Sequence, residues 1–517
     1  MSKESTDANP WFFSAVLPDF LTEDSILIPQ ISLLVLLAGF LIPLTISRWR
    51  WHPNKQKKCL PGPWSWPLFG HVRTLTQDAH TKLTSYHQLY GDIYQLTVGQ
   101  HKVVVIGSLD GLMEGLHDRS DSLSGRPDFQ NFNFLYDAEE NRQRGVCCAD
   151  NSEKTHVRRN FLSSSVDAYC SDVQHIEEKL SSEIIDTVNR LVESQCAFDP
   201  MAILKPACFN IIFRLVFDQR LDPQCQRMRE TLALMDSRRE AFRLNPLDFC
   251  PLLKIFSSDD FGNYIQESST VQLSIIHKYL NLHKDTYDHG HIRDMADHLL
   301  LYVDNGEDVG LLGKEDLDYL LLDALNFGYN DTAVVLTWLL GYMASHADIQ
   351  RQVQRELDSV IDHSRLPGVE DQPYLPLTTA CIYEALRLAS IHPFLIPHSA
   401  TKDTTLQDYP IQTGSILLFN VWKIHHDAKL WKNPYQYNPH RFLNKSRALE
   451  IPDHFIPYGA GRRQCPGEGL ADVMLFLFFA TIMQQLSIKP DQGFPLLCDQ
   501  DIVLKPKSFT LTVSERE

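Results

Sequence analysis

Residues 455–469 read FIPYGAGRRQCPGEG, a single cysteine set behind two arginines and among four glycines. Taken alone, the run is a turn-rich loop ahead of a helix, because glycine punctuates regular structure and reaches backbone angles that other residues avoid. What such an enclosed cysteine does depends on what the rest of the chain supplies.

The chain has 517 residues, 44% hydrophobic and 22% charged, an ordinary globular balance. Since single cores stop growing at roughly 250–300 residues, a chain of this length is expected to build more than one lobe. A net charge of -17 argues against a nucleic-acid partner, although local basic patches remain compatible with it. Eleven cysteines, an odd number without CxxC spacing and with only Cys147 and Cys148 adjacent, suggest neither a zinc site nor a disulfide framework. Buried thiols in a reducing compartment fit better.

One stretch departs from soluble behaviour. Ile26–Ile46, ILIPQISLLVLLAGFLIPLTI, carries no charge over a length that spans a bilayer, for which about 20 residues suffice. Arg48, Arg50, Lys55, Lys57 and Lys58 follow it and five acidic residues precede it, so the remainder of the chain is expected on the cytosolic side. A cleaved signal peptide fits less well, because the apolar run is longer than the usual signal core and no small-residue cleavage pattern follows. The expected organisation is a luminal segment and membrane anchor over 1–50, a basic, proline-rich connector over 51–71, and one large folded unit over 72–517.

Within that unit, alternation and β-branched residues predict a hairpin from about Tyr94 to Ile106, with short strands near Thr404–Pro410, Ser415–Phe419 and Ser508–Val513. Helical periodicity dominates from about Asp150 to Arg387. Glu315–His346 is too long and apolar for a surface helix and is expected to be a central one.

The cysteine loop suits a particular chemistry. A thiolate that serves as an axial ligand of haem iron needs shielding from water and hydrogen-bond donors around its sulfur. Gly459, Gly461 and Gly467 permit close backbone approach, and a helix starting near Leu470 would aim its positive end at the sulfur. Arg463 is placed to reach a haem propionate. The order aromatic-Gly-Ala-Gly-Arg-Arg-x-Cys-Pro-Gly resembles the haem-thiolate monooxygenases, the cytochromes P-450. Glu384-Ala-Leu-Arg387 and NPHRFL at Asn438–Leu443 extend the likeness. In the family such residues form a buried network, here Glu384, Arg387 and Arg441, of structural importance because buried charges are tolerable when mutually paired. SGRPDF at Ser124–Phe129, IPHSATKDTTL at Ile396–Leu406 and LFLFFATIMQQLSI at Leu475–Ile488 are similar to the microsomal branch that includes aryl-hydrocarbon and steroid hydroxylases.

The resemblance implies a mainly α fold with small β-sheets: a large helical lobe with a long central helix, a small β-rich lobe, and one transmembrane helix ahead of both. It implies haem b on Cys465, with propionate partners at Arg126, Arg158, His398 and Arg463. Lys154 stands where the family usually has a tryptophan donor, and Tyr458 where it usually has phenylalanine. The central helix departs further. Its acid-threonine pair organises the water that protonates bound dioxygen, whereas this chain, aligned without gaps through Trp338 and His346, holds Asn330 in the acid slot and Asp331 in the alcohol slot. A one-residue slip would restore Asp331-Thr332 but put Tyr329 where glycine is expected. Asp331, Asn330 and Thr332 are therefore the candidate catalytic residues, with Asp331 expected to be partly protonated through burial.

The function implied is a monooxygenase on the endoplasmic reticulum membrane that inserts one atom of O2 into a lipophilic substrate, with electrons from NADPH through a flavoprotein reductase. Arg159 and Arg462 are candidates for the cationic face that such a reductase would meet. Apolar residues in Phe129–Tyr136 and in HPFLI, His392–Ile396, match pocket-lining regions and suit a steroid, fatty acid or polycyclic aromatic. Two other readings stay open. A reductase-independent peroxide or endoperoxide isomerase of the same fold would turn over without NADPH, and a haem-binding carrier or sensor would not turn over at all.

Overall fold

Among the described residues, helices occupy more than half and the strands gather into three small sheets. A computed structural model describes residues 59–517 except 67–68, 77, 130, 133–134, 136–143, 195, 241–245, 250–259, 306–311, 314–315, 362–363, 492–502 and 517. The expected membrane segment Ile26–Ile46 and the basic cluster after it lie outside the described residues, as does much of the 129–136 pocket stretch.

The strands are β1 Ile93–Val98, β2 His101–Ile106, β3 His398–Ser399, β4 Thr404–Leu406, β5 Tyr409–Ile411, β6 Ile416–Phe419, β7 Leu486–Pro490 and β8 Leu511–Glu515. The first two form the expected hairpin, turning at Gly99, whose φ of 56° suits glycine. The largest sheet runs β1-β2-β6-β3, with β6 parallel to β2 and Val103 opposite Ile416. Where one strand was expected near Thr404–Pro410, the chain instead makes a tight hairpin, because Gln407 and Asp408 both take positive φ and reverse it. The proline-rich stretch lies along β1: Gln95 N donates to the Pro61 carbonyl at 2.8 Å, and a Cβ on Gly62 would stand 2.0 Å from Gln95 O. The compact unit accordingly spans Leu60–Glu517.

The helices that position the site are α1 Glu153–Ser171, α2 Val173–Glu193, α3 Pro200–Phe217, α4 Gln226–Glu240, α5 Leu317–Gly328, α6 Asn330–Ser345, α7 Pro376–Ala389 and α8 Glu468–Gln485. Local chemistry starts them. Ser152 caps α1 by accepting from Thr155 N at 3.2 Å, and Asp199 caps α3 with Pro200 in its first turn. The α3 helix is long and apolar enough to cross a membrane, yet 72% of it is buried, packed against α2 and α6 in the main core.

The expected single helix over Glu315–His346 is two, broken at Tyr329 (φ -97°, ψ -40°). The reason combines a contact from α3 with a bond inside the turn. Gly328 has no side chain and lets the backbone close on Ile212, whose carbons would stand 3.0–3.2 Å from a Cβ there, while the Thr332 hydroxyl donates back to the Gly328 carbonyl at 3.4 Å. The Tyr329 ring leaves along another direction, edge-on to Phe209, with its hydroxyl 3.4 Å from Asp236.

Candidate active site

The cysteine loop folds as its glycines require. Gly459 and Gly461 take φ of 75° and 68°, and a Cβ on Gly461 would lie 1.9 Å from the Leu116 carbonyl oxygen. Cys465 N donates to the Tyr458 carbonyl at 3.0 Å, and α8 starts at Glu468 with Gly467 as its cap. The Cys465 thiol is exposed, but what it faces is a cavity of about 510 Å³. Burial within the loop pushes the thiol up to about 11, opposed by the Gly467 N–H at its sulfur and reinforced by Asp331 and Glu468. A positive ion at the sulfur reverses that balance.

Three sequence candidates line the same cavity. Arg126 donates through Nε to the Cys147 carbonyl at 2.9 Å and through Nη1 to those of Ile396 and Pro397 at 3.1 Å. Arg463 donates to the carbonyls of Ser124, Val146 and Ala149 at 2.8–3.1 Å. His398 is buried in β3 with Nδ1 2.8 Å from the Leu123 carbonyl. The cluster is electrostatically costly: burial, with the Arg126 charge next, lowers Arg463 to about 9, and burial with both arginines holds His398 well below its usual value.

The other cations on α1 divide. Arg158 is buried, pairs with Asp316 at 2.7 Å, and leaves Nε and Nη1 without partners. It does not line the cavity. Lys154 is exposed in the first turn of α1 and is likewise absent from the cavity wall. Arg159, expected on an outer cationic face, instead lines the cavity and donates to the Gln464 carbonyl at 2.5 Å, because the helix turn that hides Arg158 also carries Arg159 under the cysteine loop. Arg462 stays exposed, paired with Asp121 at 2.6 Å.

Behind the loop, Glu384 on α7 accepts from Arg387 Nε at 2.7 Å and Nη2 at 2.9 Å, from Arg441 Nε at 3.0 Å and from Asn438 N at 2.9 Å. Arg387 is fully buried beneath the Trp431 ring, and its remaining donor meets the His425 carbonyl. All four acceptor contacts on one carboxylate are what make three buried charges compatible.

At the helix break, Asn330, Asp331 and Thr332 all line the cavity, whereas Tyr329 between Gly328 and Asn330 does not. Asp331 accepts from His392 Nε2 at 2.6 Å and from Asn330 Nδ2 at 3.2 Å. The expectation of a partly protonated Asp331 is corrected here. Burial does push its carboxyl up, but the charge and hydrogen bond of His392, with Arg239 and Asn330 adding, hold it down to about 2. His392, which the sequence reading takes only as part of the pocket-lining HPFLI stretch, is the partner of Asp331. It stands 61 positions from Asp331, and no spacing rule links them. Asn330 Oδ1 and His392 Nδ1 are buried without partners.

These residues fit haem b. The cavity has the size of a ligand pocket, about 300–1,000 Å³. It offers a soft sulfur with an N–H beside it on one wall and two guanidiniums with a histidine whose mutual repulsion a propionate carboxylate would relieve.

Comparison with known proteins agrees. The family model described as Cytochrome P450 matches residues 60–513. The chain is 32% identical over 451 residues to the human (Homo sapiens) protein named Cytochrome P450 1A1, covering 84% of this chain and 87% of that one. The dog (Canis lupus familiaris) protein of that name is 31% identical over 458 residues, 86% and 87% of the two chains. The minke whale (Balaenoptera acutorostrata) protein is 31% identical over 485 residues, 91% and 93%.

Proposed function

The chain belongs to the cytochrome P450 family and is a monooxygenase that binds haem b, and on that premise we propose a membrane-bound enzyme acting on a lipophilic substrate such as a steroid, fatty acid or polycyclic aromatic. In this reading Ile26–Ile46 anchors the protein once in the endoplasmic reticulum membrane with the catalytic unit in the cytosol, and a flavoprotein reductase passes it electrons from NADPH. One oxygen atom of O2 enters the substrate and the other leaves as water, NADPH supplying two electrons.

The observation that carries the reading is the cavity itself, lined by Cys465, by the Asp331–His392 pair and by apolar side chains such as Ile212, Val216, Leu386 and Ile391. Cys465 would hold the iron, Arg126, Arg463 and His398 the propionates, and Arg158 would support that end from behind. Haem bound this way supplies the activation of dioxygen, which a thiolate ligand promotes. The chain's own part is proton supply and exclusion of water. Asp331 is ionised at neutral pH, so it acts as the acceptor end of a relay: a proton is held in the hydrogen bond between His392 Nε2 and Asp331 Oδ2, and Asn330 Oδ1 offers an acceptor for a bridging water. Glu384, Arg387 and Arg441 keep the cysteine loop in register.

The test is reconstitution of the haem-loaded protein with a flavoprotein reductase, NADPH and ¹⁸O₂ against a panel of steroids, fatty acids and polycyclic aromatics. The expected result is NADPH-dependent product carrying one ¹⁸O. Turnover of lipid peroxides without NADPH, and of nothing with it, would replace this reading by the isomerase. Ferrous CO binding with no turnover of any compound would replace it by the carrier.

A further inference from the structure

One wall of the cavity carries charge that haem binding does not explain. Lys205 on α3, Asp236 and Arg239 on α4, and Lys505 in the segment before β8 all line it. Lys205 Nζ pairs with Asp236 Oδ2, and Arg239 Nη1 lies 3.7 Å from Asp236 Oδ1. Lys505 has no hydrogen-bond or ion-pair partner among the described residues. Two of the three cations therefore share one carboxylate, and the third has none. That carboxylate is also the group best placed to be hydrated, at 42% exposed against 17% and 21% for Lys205 and Arg239.

The surplus is felt locally. Burial lowers Lys205, Asp236 raises it back, and the charges of Arg239 and Lys505 lower it further. Lys205 is the one charged side chain in the stretch PMAILKPACFNII of α3 and stands outside the buried set of that helix. Nor is Asp331 available to neutralise the cluster, since His392 already occupies it at 2.6 Å. Arg239 nevertheless lies close enough to Asp331 to help lower its carboxyl, and Asp331 close enough to Cys465 to raise its thiol. The cationic wall, the relay pair and the sulfur thus share one continuous cavity.

We propose that this wall binds the carboxylate of a lipophilic acid, with Arg239 and Lys505 as its partners and the apolar body of the molecule directed along Ile212, Val216, Phe327 and Ile391 towards Cys465. The proposal rests on the monooxygenase reading above and narrows its substrate to an acid. The planar guanidinium matches a carboxylate's two oxygens, and Lys505 adds a mobile point charge. An anion in this place leaves Asp236 to Lys205 and removes the repulsion among the three cations. Steroids and polycyclic aromatics without an acidic group leave that repulsion in place.

The test uses the haem-loaded protein and reads substrate binding from the haem absorption change. Dodecanoic and hexadecanoic acids are titrated beside their methyl esters, and a steroid sulfate beside the parent alcohol. An acid should bind about tenfold or more tightly than its ester, as expected for charge-assisted hydrogen bonds. Arg239→Gln and Lys505→Gln should each weaken the acid by about tenfold and leave the ester unchanged, with the ferrous CO band of both variants intact. Lys505→Gln keeps the test decisive if Arg239→Gln fails to fold. Equal binding of acid and ester, binding of neither, or acid binding indifferent to Lys505→Gln overturns the assignment. So does a steroid sulfate that outbinds both acids, which would give the wall to a sulfate ester. The monooxygenase reading falls separately, on the absence of ¹⁸O-labelled product from every compound in the panel.

Discussion

Replacing His392 by leucine tests the relay most directly. The structure holds Asp331 at about 2 against an ordinary 3.8, and His392 is the largest of the influences that lower it. A displacement of about two pKa units corresponds to on the order of 2 kcal/mol. The two side chains are 27% and 30% exposed towards the cavity, so solvent screening takes a share, leaving about 1 kcal/mol or somewhat more. The sign follows from the depressed carboxyl. Its stabilisation is fully present above the unfolded pKa and is lost as pH falls through about 2, so at neutral pH the whole of it is at stake. Without His392 the burial cost stands largely unopposed and the Asp331 carboxyl rises above its usual value. In a unit of this size about 1 kcal/mol shifts Tm by about 1 °C, which calorimetry of haem-loaded protein resolves. The sharper assay is catalytic coupling. If the two residues form one relay, His392→Leu and Asp331→Asn each lower product per NADPH and raise hydrogen peroxide, and the double variant is no worse than either. General acid catalysis contributes about 10²–10⁴-fold, so the loss is taken once, not twice. Multiplicative losses in the double variant, or unchanged coupling in Asp331→Asn, would refute the relay and hand proton supply to Thr332.

Cys465→Ala should abolish the strongly red-shifted ferrous CO band, and persistence of that band would exclude this cysteine as the iron ligand. Glu384→Gln keeps the shape of the side chain but leaves the fully buried Arg387 without its counter-charge, a loss of about 3–5 kcal/mol that should appear as poor haem retention and a lower Tm; a shift under about 1 °C would show the network to be dispensable. Deleting residues 1–50 removes the proposed anchor but leaves the compact unit that starts at Leu60, so haem content and activity in detergent should survive while membrane binding weakens. Loss of haem on that deletion would place residues 1–50 within the fold.

Much of the site was legible because its chemistry is local. The cysteine loop needs glycines at positive φ and an N–H at the sulfur, and Gly459, Gly461 and Gly467 spell both requirements within nine residues. The Glu384–Arg387 pair sits three apart on one helix, where such side chains meet. The β1–β2 hairpin was visible for the same reason, as two alternating runs around a glycine turn.

What the sequence determined by itself, then, was the set of features built within a few residues of chain: the glycine-rich cysteine loop, the hairpin, the buried carboxylate network and the helical character of the rest. Tertiary structure alone decided how charges from distant segments meet. The helix break at Tyr329 depends on Ile212 pressing against Gly328 from α3, so the periodicity of 315–346 read through it unbroken. The sequence reading turns Arg158 towards the cavity and Arg159 outwards, yet the fold does the reverse: Arg158 is buried against Asp316 and Arg159 lines the cavity. The protonation of Asp331 went the opposite way from its burial because a histidine 61 residues along the chain lies 2.6 Å from it. A carboxyl's titration is set by the charges within a few ångströms, whatever their distance along the chain, and only the folded chain fixes which charges those are.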